Sequence, residues 1–106
     1  AGVLPGRAAK QSHLSRFGYI TLTGGTVFGH PSGDIRAHEF HYYDTEDSGD
    51  AFLAIKPVSG RTWRAMISTP SMLAGFPHLY YRGCPQTVRY FLDACRRYGT
   101  DGTPAV

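Results

Sequence analysis

The sequence has only two cysteines and no long uncharged hydrophobic segment. Two cysteines are too few for the disulfide framework of a small secreted domain, so we expect Cys84 and Cys95 to be free thiols. The longest apolar segment is well short of the ~20 residues that span a bilayer, and no charged and then apolar leader precedes a cleavage site. We therefore expect a soluble, cytoplasmic protein that does not use a membrane as a partner.

Methionine and tryptophan are also scarce, whereas aromatic and turn-forming residues are frequent. The 106 residues include two Met and one Trp, but seven Tyr, six Phe, thirteen Gly and seven Pro. So many Gly and Pro residues imply short elements joined by turns, which excludes a helical bundle or a coiled coil. A hydrophobic fraction of 42% over this length is sufficient for one modest core and excludes a second independent domain.

The basic residues do not form a block. The net charge is +3, and nine of the eleven cations are Arg. These Arg residues are scattered, with no stretch of three cations together, which argues against nucleic acid as a partner. Scattered guanidinium groups also suit an acidic small molecule, because they bind carboxylates with two parallel hydrogen bonds. Half of the acidic residues fall in one segment, 44–50, which we interpret as a solvated loop.

Strands are predicted for most of the chain. β-Branched and aromatic residues bounded by Gly and Pro predict strands at 17–23, 27–28, 34–43, 51–58, 61–67 and 72–76. The segments on either side of Ser59 and Gly60 are predicted to form a hairpin. Before the first strand, residues 8–15 are predicted to include a short helical turn.

One helix is predicted near the C-terminal end, at about 85–98. Pro85 suits a first helical position, Cys84 its cap, and Gly99 a stop. The predicted buried face of this helix carries Val88, Phe91, Leu92 and Cys95. The fold class that follows is α/β, with several strands in a mixed sheet with hairpins and one C-terminal helix. Residues 99–106 are predicted to be a tail.

The segment from His38 to His41 contains two histidines and a glutamate. The zinc motif with a Glu between two His needs the histidines four apart on a helix, but here they are three apart on a predicted strand. Alternation along a strand sends His38 and His41 to opposite faces, so we expect no metal site. Glu39 and His41 share a face, where the carboxylate can orient the imidazole or form a structural pair with it.

Two residues near the predicted helix are candidates for catalysis. Cys84 lies at a helix N-terminus, which favours the thiolate, and His78 is a short loop upstream, so a nucleophilic pair is one interpretation. The other interpretation is that Cys84 only caps the helix. His78 follows a short apolar strand and a Pro, at a sheet edge where α/β folds place functional residues.

Four segments together resemble one known family. They are Gly2-Val3-Leu4-Pro5-Gly6-Arg7-Ala8, Arg16-Phe17-Gly18-Tyr19, Arg36-Ala37-His38-Glu39-Phe40-His41-Tyr42 and Leu73-Ala74-Gly75-Phe76-Pro77-His78-Leu79-Tyr80-Tyr81. Over roughly residues 2–97 the chain resembles the C-terminal part of the cobyrinic acid a,c-diamide synthases. The resemblance implies the C-terminal portion of a class I, triad-type glutamine amidotransferase domain, spanning residues 1–98.

The resemblance also implies a function. Members of this family hydrolyse glutamine and use the ammonia for ATP-dependent amidation of the a and c carboxylates of a corrinoid, or of a related tetrapyrrole, in cobalamin biosynthesis. His78 matches the catalytic His of the family, and the resemblance favours a capping role for Cys84. The usual Glu two residues after that His is replaced by Tyr80, so Glu39 or His41 is expected to orient His78 if their strands are neighbours.

The sequence departs from the whole enzyme of that family. It has no Cys-Gly-Gly segment to supply the nucleophile and no Gly-x-x-x-x-Gly-Lys-Ser/Thr phosphate loop. We therefore expect a fragment that holds no cofactor and is inactive alone, while ATP and Mg²⁺ bind in the ligase domain of the longer enzyme. The remainder of that polypeptide is the expected partner, and exposed strand edges are expected to promote homo-oligomers.

Two alternatives from other functional classes remain open. One is a thiol hydrolase that uses Cys84 and His78 without further residues. The other is a binding module, whose aromatic and Arg-bearing sheet holds an anionic tetrapyrrole or a single-stranded nucleic acid.

Overall fold

The computed structural model describes residues 3–4, 6–13 and 16–101, which form eleven short strands and one long helix. The elements are β1 (Ala8–Lys10), β2 (Arg16–Thr23), β3 (Thr26–Val27), β4 (His30–Pro31), β5 (Ile35–His41), β6 (Tyr43–Thr45), β7 (Phe52–Ile55), β8 (Thr62–Ala65), β9 (Ile67–Thr69), β10 (Met72–Ala74), β11 (His78–Leu79), a 3-10 turn (Tyr81–Gly83) and α1 (Pro85–Asp101). No helix in these ranges is long and apolar enough to cross a membrane.

A five-stranded sheet in the order β11-β5-β2-β7-β8 is the centre of the fold. Its neighbouring strands are antiparallel, and three further pairs, β1 with β6, β3 with β4 and β9 with β10, surround it. One isolated parallel bridge joins Gly49 to Met66. The prediction of an α/β fold with hairpins and one C-terminal helix is confirmed.

One face of this sheet carries the hydrophobic core. Alternate residues of β2 and β5 are buried, because successive side chains of a strand point to opposite faces. The largest completely buried side chains are Phe52, Leu22, Ile35 and Val27. The opposite face, which we call the open face, is formed by the other half of each strand.

Large aromatic residues are exposed on the open face. Tyr19 is 78% exposed, Phe17 58% and Phe40 56%. Their positions follow from the register, in which Phe17 is opposite Phe40 and Tyr19 is opposite His38. Exposed aromatic residues on the open face, together with the buried Glu39 on the core face, explain why the sequence of β5 is mixed on both sides.

The predicted hairpin around Ser59 and Gly60 is confirmed. β7 and β8 pair over Phe52 to Ala65, and the amide of Gly60 donates to the carbonyl of Lys56 at 2.9 Å. Gly60 has a positive φ of 74°, a region that glycine enters without a Cβ clash. β8 ends at Ala65 instead of continuing to residue 67, because Met66 also adopts a positive φ, 72°, and is buried.

Two predictions for other segments are wrong. The described part of 8–15 contains a strand, β1, instead of a helical turn, because its backbone pairs with β6 and the amide of Gln11 donates to the carbonyl of Tyr42. Residues 14 and 15 lie outside the described ranges. The predicted strand 34–43 is divided into β5 and β6.

The helix begins at Pro85, as predicted, but continues past Gly99 to Asp101. Its expected buried face is wrong. Val88, Phe91 and Leu92 are 37%, 50% and 47% exposed, and Cys95 is exposed. The helix instead contacts the core through the buried Thr87 and through Tyr90 and Ala94, which pack against it. Part of the expected tail thus belongs to the helix, whereas residues 102–106 lie outside the described ranges.

Candidate functional site

His78 begins the edge strand β11, which pairs with β5. Its backbone neighbour across the pair is His38, and Leu79 is opposite Ala37. Pro77 before it is buried, whereas the His78 side chain is exposed. The edge position predicted for His78 therefore agrees with the register, while its catalytic role stays a prediction.

Three ring side chains form a row across three strands of the open face. Tyr19 on β2, His38 on β5 and His78 on β11 are successive cross-strand neighbours. Directly opposite residues of antiparallel strands project to the same face. The ring centroids of Tyr19 and His38 are 5.5 Å apart in an edge-to-face arrangement, and those of His38 and His78 are 6.3 Å apart.

Glu39 and His41 lie on the other face of β5. His41 Nε2 is 3.3 Å from Glu39 Oε2, and Glu39 is only 3% exposed. The expectation that these two residues share a face agrees with this pair. Because β5 alternates, its register places His38 beside His78 and directs Glu39 and His41 away from that row. The strands of His78 and Glu39 are neighbours, but the orienting position beside His78 is occupied by His38.

The His41 ring is held by three contacts. It stacks on Phe76 with a centroid distance of 3.9 Å and an interplanar angle of 7°. Its Nδ1 donates to the carbonyl of Tyr43 at 2.6 Å. With Glu39 Oε2 at 3.3 Å from Nε2, both ring nitrogens have a hydrogen-bond partner. This arrangement is a structural pair beneath the sheet.

The space beside this pair is very small. A cavity of about 10 Å³ is lined by Arg16, Glu39, His41, Asp44, Ser48, Trp63, Ala65, Phe76 and Pro77. That volume is at the lower limit for one water molecule, so the cavity excludes a substrate. The Arg16 guanidinium lies over the Trp63 ring, 4.8 Å from its centroid. The pair and its surroundings are thus closely packed against this face of the sheet.

Cys84 lies in the core, 4% exposed, immediately before the helix. The Thr87 hydroxyl donates to its sulfur at 3.3 Å, and the Thr87 amide donates to its carbonyl at 3.1 Å. Its thiol donates to the carbonyl of Ser32 at 3.7 Å. These contacts are those of a packed residue at a helix start, and they join Cys84 to the core instead of to solvent.

A candidate metal site is absent from the described ranges, and a groove lies along the helix. No group of three His, Cys, Asp or Glu residues there could hold a metal ion. A groove of about 620 Å³ runs along α1 and is lined by Tyr81, Arg82, Pro85, Val88, Arg89, Leu92, Asp93 and Arg96. Tyr19, His38 and His78 are not among these lining residues, so the groove is separate from the row that contains His78.

Sequence reasoning did not find two residues of the open face. Tyr19 and Arg36 belong to predicted strands and to segments that carry the resemblance, but the sequence alone gives neither a role, although both are near the His38 and His78 rings in the sheet. The signal that could have identified them is the pairing of β2 with β5 and of β5 with β11. That order is set by the tertiary structure and has no local sequence signature.

Comparison with curated proteins supports one family. Over 103 residues the chain is 30% identical to the cobyrinate a,c-diamide synthase of Salmonella typhimurium, and this match covers 92% of the chain. The chain belongs to the cobyrinate a,c-diamide synthase family. The synthases of Fusobacterium nucleatum and Caldanaerobacter subterraneus are 34% and 28% identical over 76 and 102 residues.

The chain is much shorter than these synthases. It spans 22% of the Salmonella protein, 15% of the Fusobacterium protein and 23% of the Caldanaerobacter protein. No family model matches it, and no solved structure matches it either. Its membership in the synthase family therefore rests on the curated relatives, and the activity of a whole synthase is a separate proposal.

Proposed function

We propose that this chain is part of the glutaminase portion of a cobyrinate a,c-diamide synthase, and that His78 transfers protons during glutamine hydrolysis. The observation that carries the proposal is the exposed His78 ring at the sheet edge, in a chain that is similar to a curated synthase over 92% of its length. An imidazole there is accessible to a partner surface, and the strand pairing fixes its backbone.

The chemistry assigned to His78 is general acid and base catalysis. A Cys on another part of the polypeptide attacks the side-chain amide carbon of glutamine, and His78 accepts the thiol proton. His78 then donates that proton to the nitrogen as the carbon–nitrogen bond breaks, which releases ammonia and leaves a thioester. Water hydrolyses the thioester to glutamate, again with proton transfer through the imidazole. The ammonia amidates the a and c carboxylates of a corrinoid in a cytoplasmic reaction that uses ATP and Mg²⁺ bound outside this chain.

A hybrid synthase tests the role of His78. In the Salmonella enzyme, the matched segment is replaced by this chain, and glutamate release is measured. We expect His78→Asn to lower kcat by about 10²- to 10⁴-fold, because a positioned acid–base group contributes that range. His13→Asn is the matched control, since His13 is also exposed but lies outside the central sheet.

The nitrogen source separates loss of glutaminase activity from loss of folding. With added ammonia in place of glutamine, the His78→Asn hybrid is expected to amidate as fast as the unchanged hybrid. A His78→Asn hybrid that releases glutamate at the normal rate would contradict the proposal.

A second candidate function is supported by the exposed aromatic rings of the open face. Tyr19, Phe17 and Phe40 offer stacking surfaces, and Lys56 Nζ lies 4.9 Å from the centroid of the Phe17 ring. Such a face suits an anionic tetrapyrrole or a single-stranded nucleic acid. Affinity for oligonucleotides that falls steeply with salt, and no affinity for corrinoids, would favour the nucleic-acid form.

The third candidate, a self-sufficient thiol hydrolase, is disfavoured by the burial of Cys84. Its sulfur is in contact with Thr87, Gln86 and Ser32. A thiol in the core has no access to a substrate unless the N-terminus of the helix moves away.

A further inference from the structure

The open face places a guanidinium beside the imidazole row. Arg36 and His38 are two residues apart on β5, so their side chains project to the same face about 7 Å apart along the strand. The amide of Tyr80 donates to the carbonyl of Arg36 at 2.8 Å, which keeps the chain after β11 alongside Arg36. Arg36 is therefore near both His38 and His78 at the sheet edge.

The Arg36 side chain is exposed and forms no ion pair within the described ranges. The two ion pairs found there involve Glu39 and Asp93, and Glu39 lies on the opposite face. Strand residues of the open face include no Asp or Glu, as the register of the five strands shows. A guanidinium in these surroundings can bind a carboxylate from outside the chain with two parallel hydrogen bonds.

We propose that Arg36 binds the α-carboxylate of the amino-acid substrate and thereby sets the distance of its side-chain amide from His78. This inference rests on the proposed function, because it assigns the substrate-binding group of the same site. An extended glutamine has roughly 5 Å between its carboxylate carbon and its side-chain amide carbon by ordinary bond lengths. A glutamine of this length can reach from a flexible guanidinium at position 36 to the imidazole row, whose backbone lies about 7 Å away along the strand.

Tyr19 and His38 complete this arrangement. The His38 ring, 6.3 Å from the His78 ring, forms one wall beside His78 and is supported from its other side by Tyr19 at 5.5 Å. The methylene groups of glutamine can contact these rings while the two polar ends reach Arg36 and His78. The site thus selects a carboxylate at one end of a short, flexible chain and an amide at the other.

The test compares substrate binding with turnover in the hybrid synthase. Arg36→Met is expected to raise KM for glutamine by roughly 10- to 100-fold, which corresponds to the loss of a charge-assisted pair, and to change kcat much less. Arg36→Lys is expected to have an intermediate KM, because lysine retains the positive charge but cannot form the two parallel hydrogen bonds of a guanidinium. Arg97→Met is the matched control, because it removes the same charge from an exposed position on the helix.

Equilibrium binding gives a readout that does not depend on catalysis. The dissociation constant of radiolabelled L-glutamine for the same hybrids is measured by dialysis, in competition with glutamine or with glutamine amide, which has no α-carboxylate. We expect Arg36→Met to weaken binding of glutamine and the amide to compete poorly with it. Equal binding by the Arg36→Met hybrid, equal competition by the amide, or no binding by the unchanged hybrid would each overturn the assignment.

Failure of this inference is distinguishable from failure of the proposed function. If His78→Asn abolishes glutamate release while Arg36→Met leaves KM and the dissociation constant unchanged, the role of Arg36 is wrong and the role of His78 stands. If His78→Asn has no effect while Arg36→Met weakens glutamine binding, the carboxylate site stands and the catalytic role is wrong.

Discussion

The buried pair of Glu39 and His41 gives a sharp test of how the sheet is stabilised. Glu39 and His41 side chains are only 4% and 11% exposed, and Nε2 and Oε2 are 3.3 Å apart. Removing one partner of such a pair leaves the other buried without compensation, which costs about 3–5 kcal/mol. Replacing both partners by apolar residues of similar shape is often close to neutral.

The substitutions follow from the contacts. His41→Phe keeps an aromatic ring against Phe76 but leaves Glu39 without its partner, so we expect a loss of about 3–5 kcal/mol of unfolding free energy. Glu39→Met leaves the His41 ring bonded to the carbonyl of Tyr43 and is expected to cost about 1–3 kcal/mol. The double variant is expected to be more stable than His41→Phe alone, with a total cost below about 1.5 kcal/mol.

The assay is urea unfolding followed by circular dichroism, with the three variants treated as a double-mutant cycle. Asp93→Asn is the matched control. It breaks an ion pair of 3.1 Å whose side chains, Asp93 and Arg96, are 43% and 77% exposed, so its expected cost is below about 1 kcal/mol. A His41→Phe cost equally small, or a double variant whose cost equals the sum of the two single costs, would refute the reasoning.

Two further predictions concern the backbone and the thiols. Gly49→Ala is expected to lower the free energy of unfolding by at least about 2 kcal/mol, because Gly49 has a φ of 92° and an added Cβ would meet the carbonyl of Met66. Gly24→Ala is the matched control. Gly24 has a φ of 80° but no atom within 4 Å of an added Cβ, so the expected cost in urea unfolding is about 1–2 kcal/mol. Equal costs would contradict this view of the contact. Iodoacetamide is expected to label Cys95 in the native protein and Cys84 only after unfolding, as measured by mass spectrometry, because Cys84 is buried. Rapid labelling of Cys84 in the native protein would instead support the interpretation of the chain as a thiol hydrolase.

The strands could be predicted where their own sequence determines the structure. Alternation and β-branched residues identified β2 and β5, and the Ser59–Gly60 turn identified the β7–β8 hairpin. The shared face of Glu39 and His41 also follows from alternation alone. These features depend on residues that are neighbours along the chain, so they can be predicted from the sequence alone.

Features that depend on distant pairing could not be predicted in the same way. The row of Tyr19, His38 and His78 exists because β5 lies between β2 and β11, and no local pattern specifies that order. The buried face of the helix could not be predicted for the same reason. Val88 and Leu92 form an apolar stripe with helical spacing, and spacing is identical whether a stripe contacts this core or remains exposed.

Met66 connects the two parts of the fold through one unusual conformation. Its positive φ separates β8 in the central sheet from β9 in the neighbouring pair. An added Cβ at Gly49 would meet the Met66 carbonyl, and one at Gly75 would meet the Met66 sulfur. Gly75 lies three residues before His78. A larger residue at Gly75 is therefore expected to require a smaller side chain at residue 66, whereas a larger residue at Gly49 would require the backbone at residue 66 to shift, and with it the start of the segment that leads to His78.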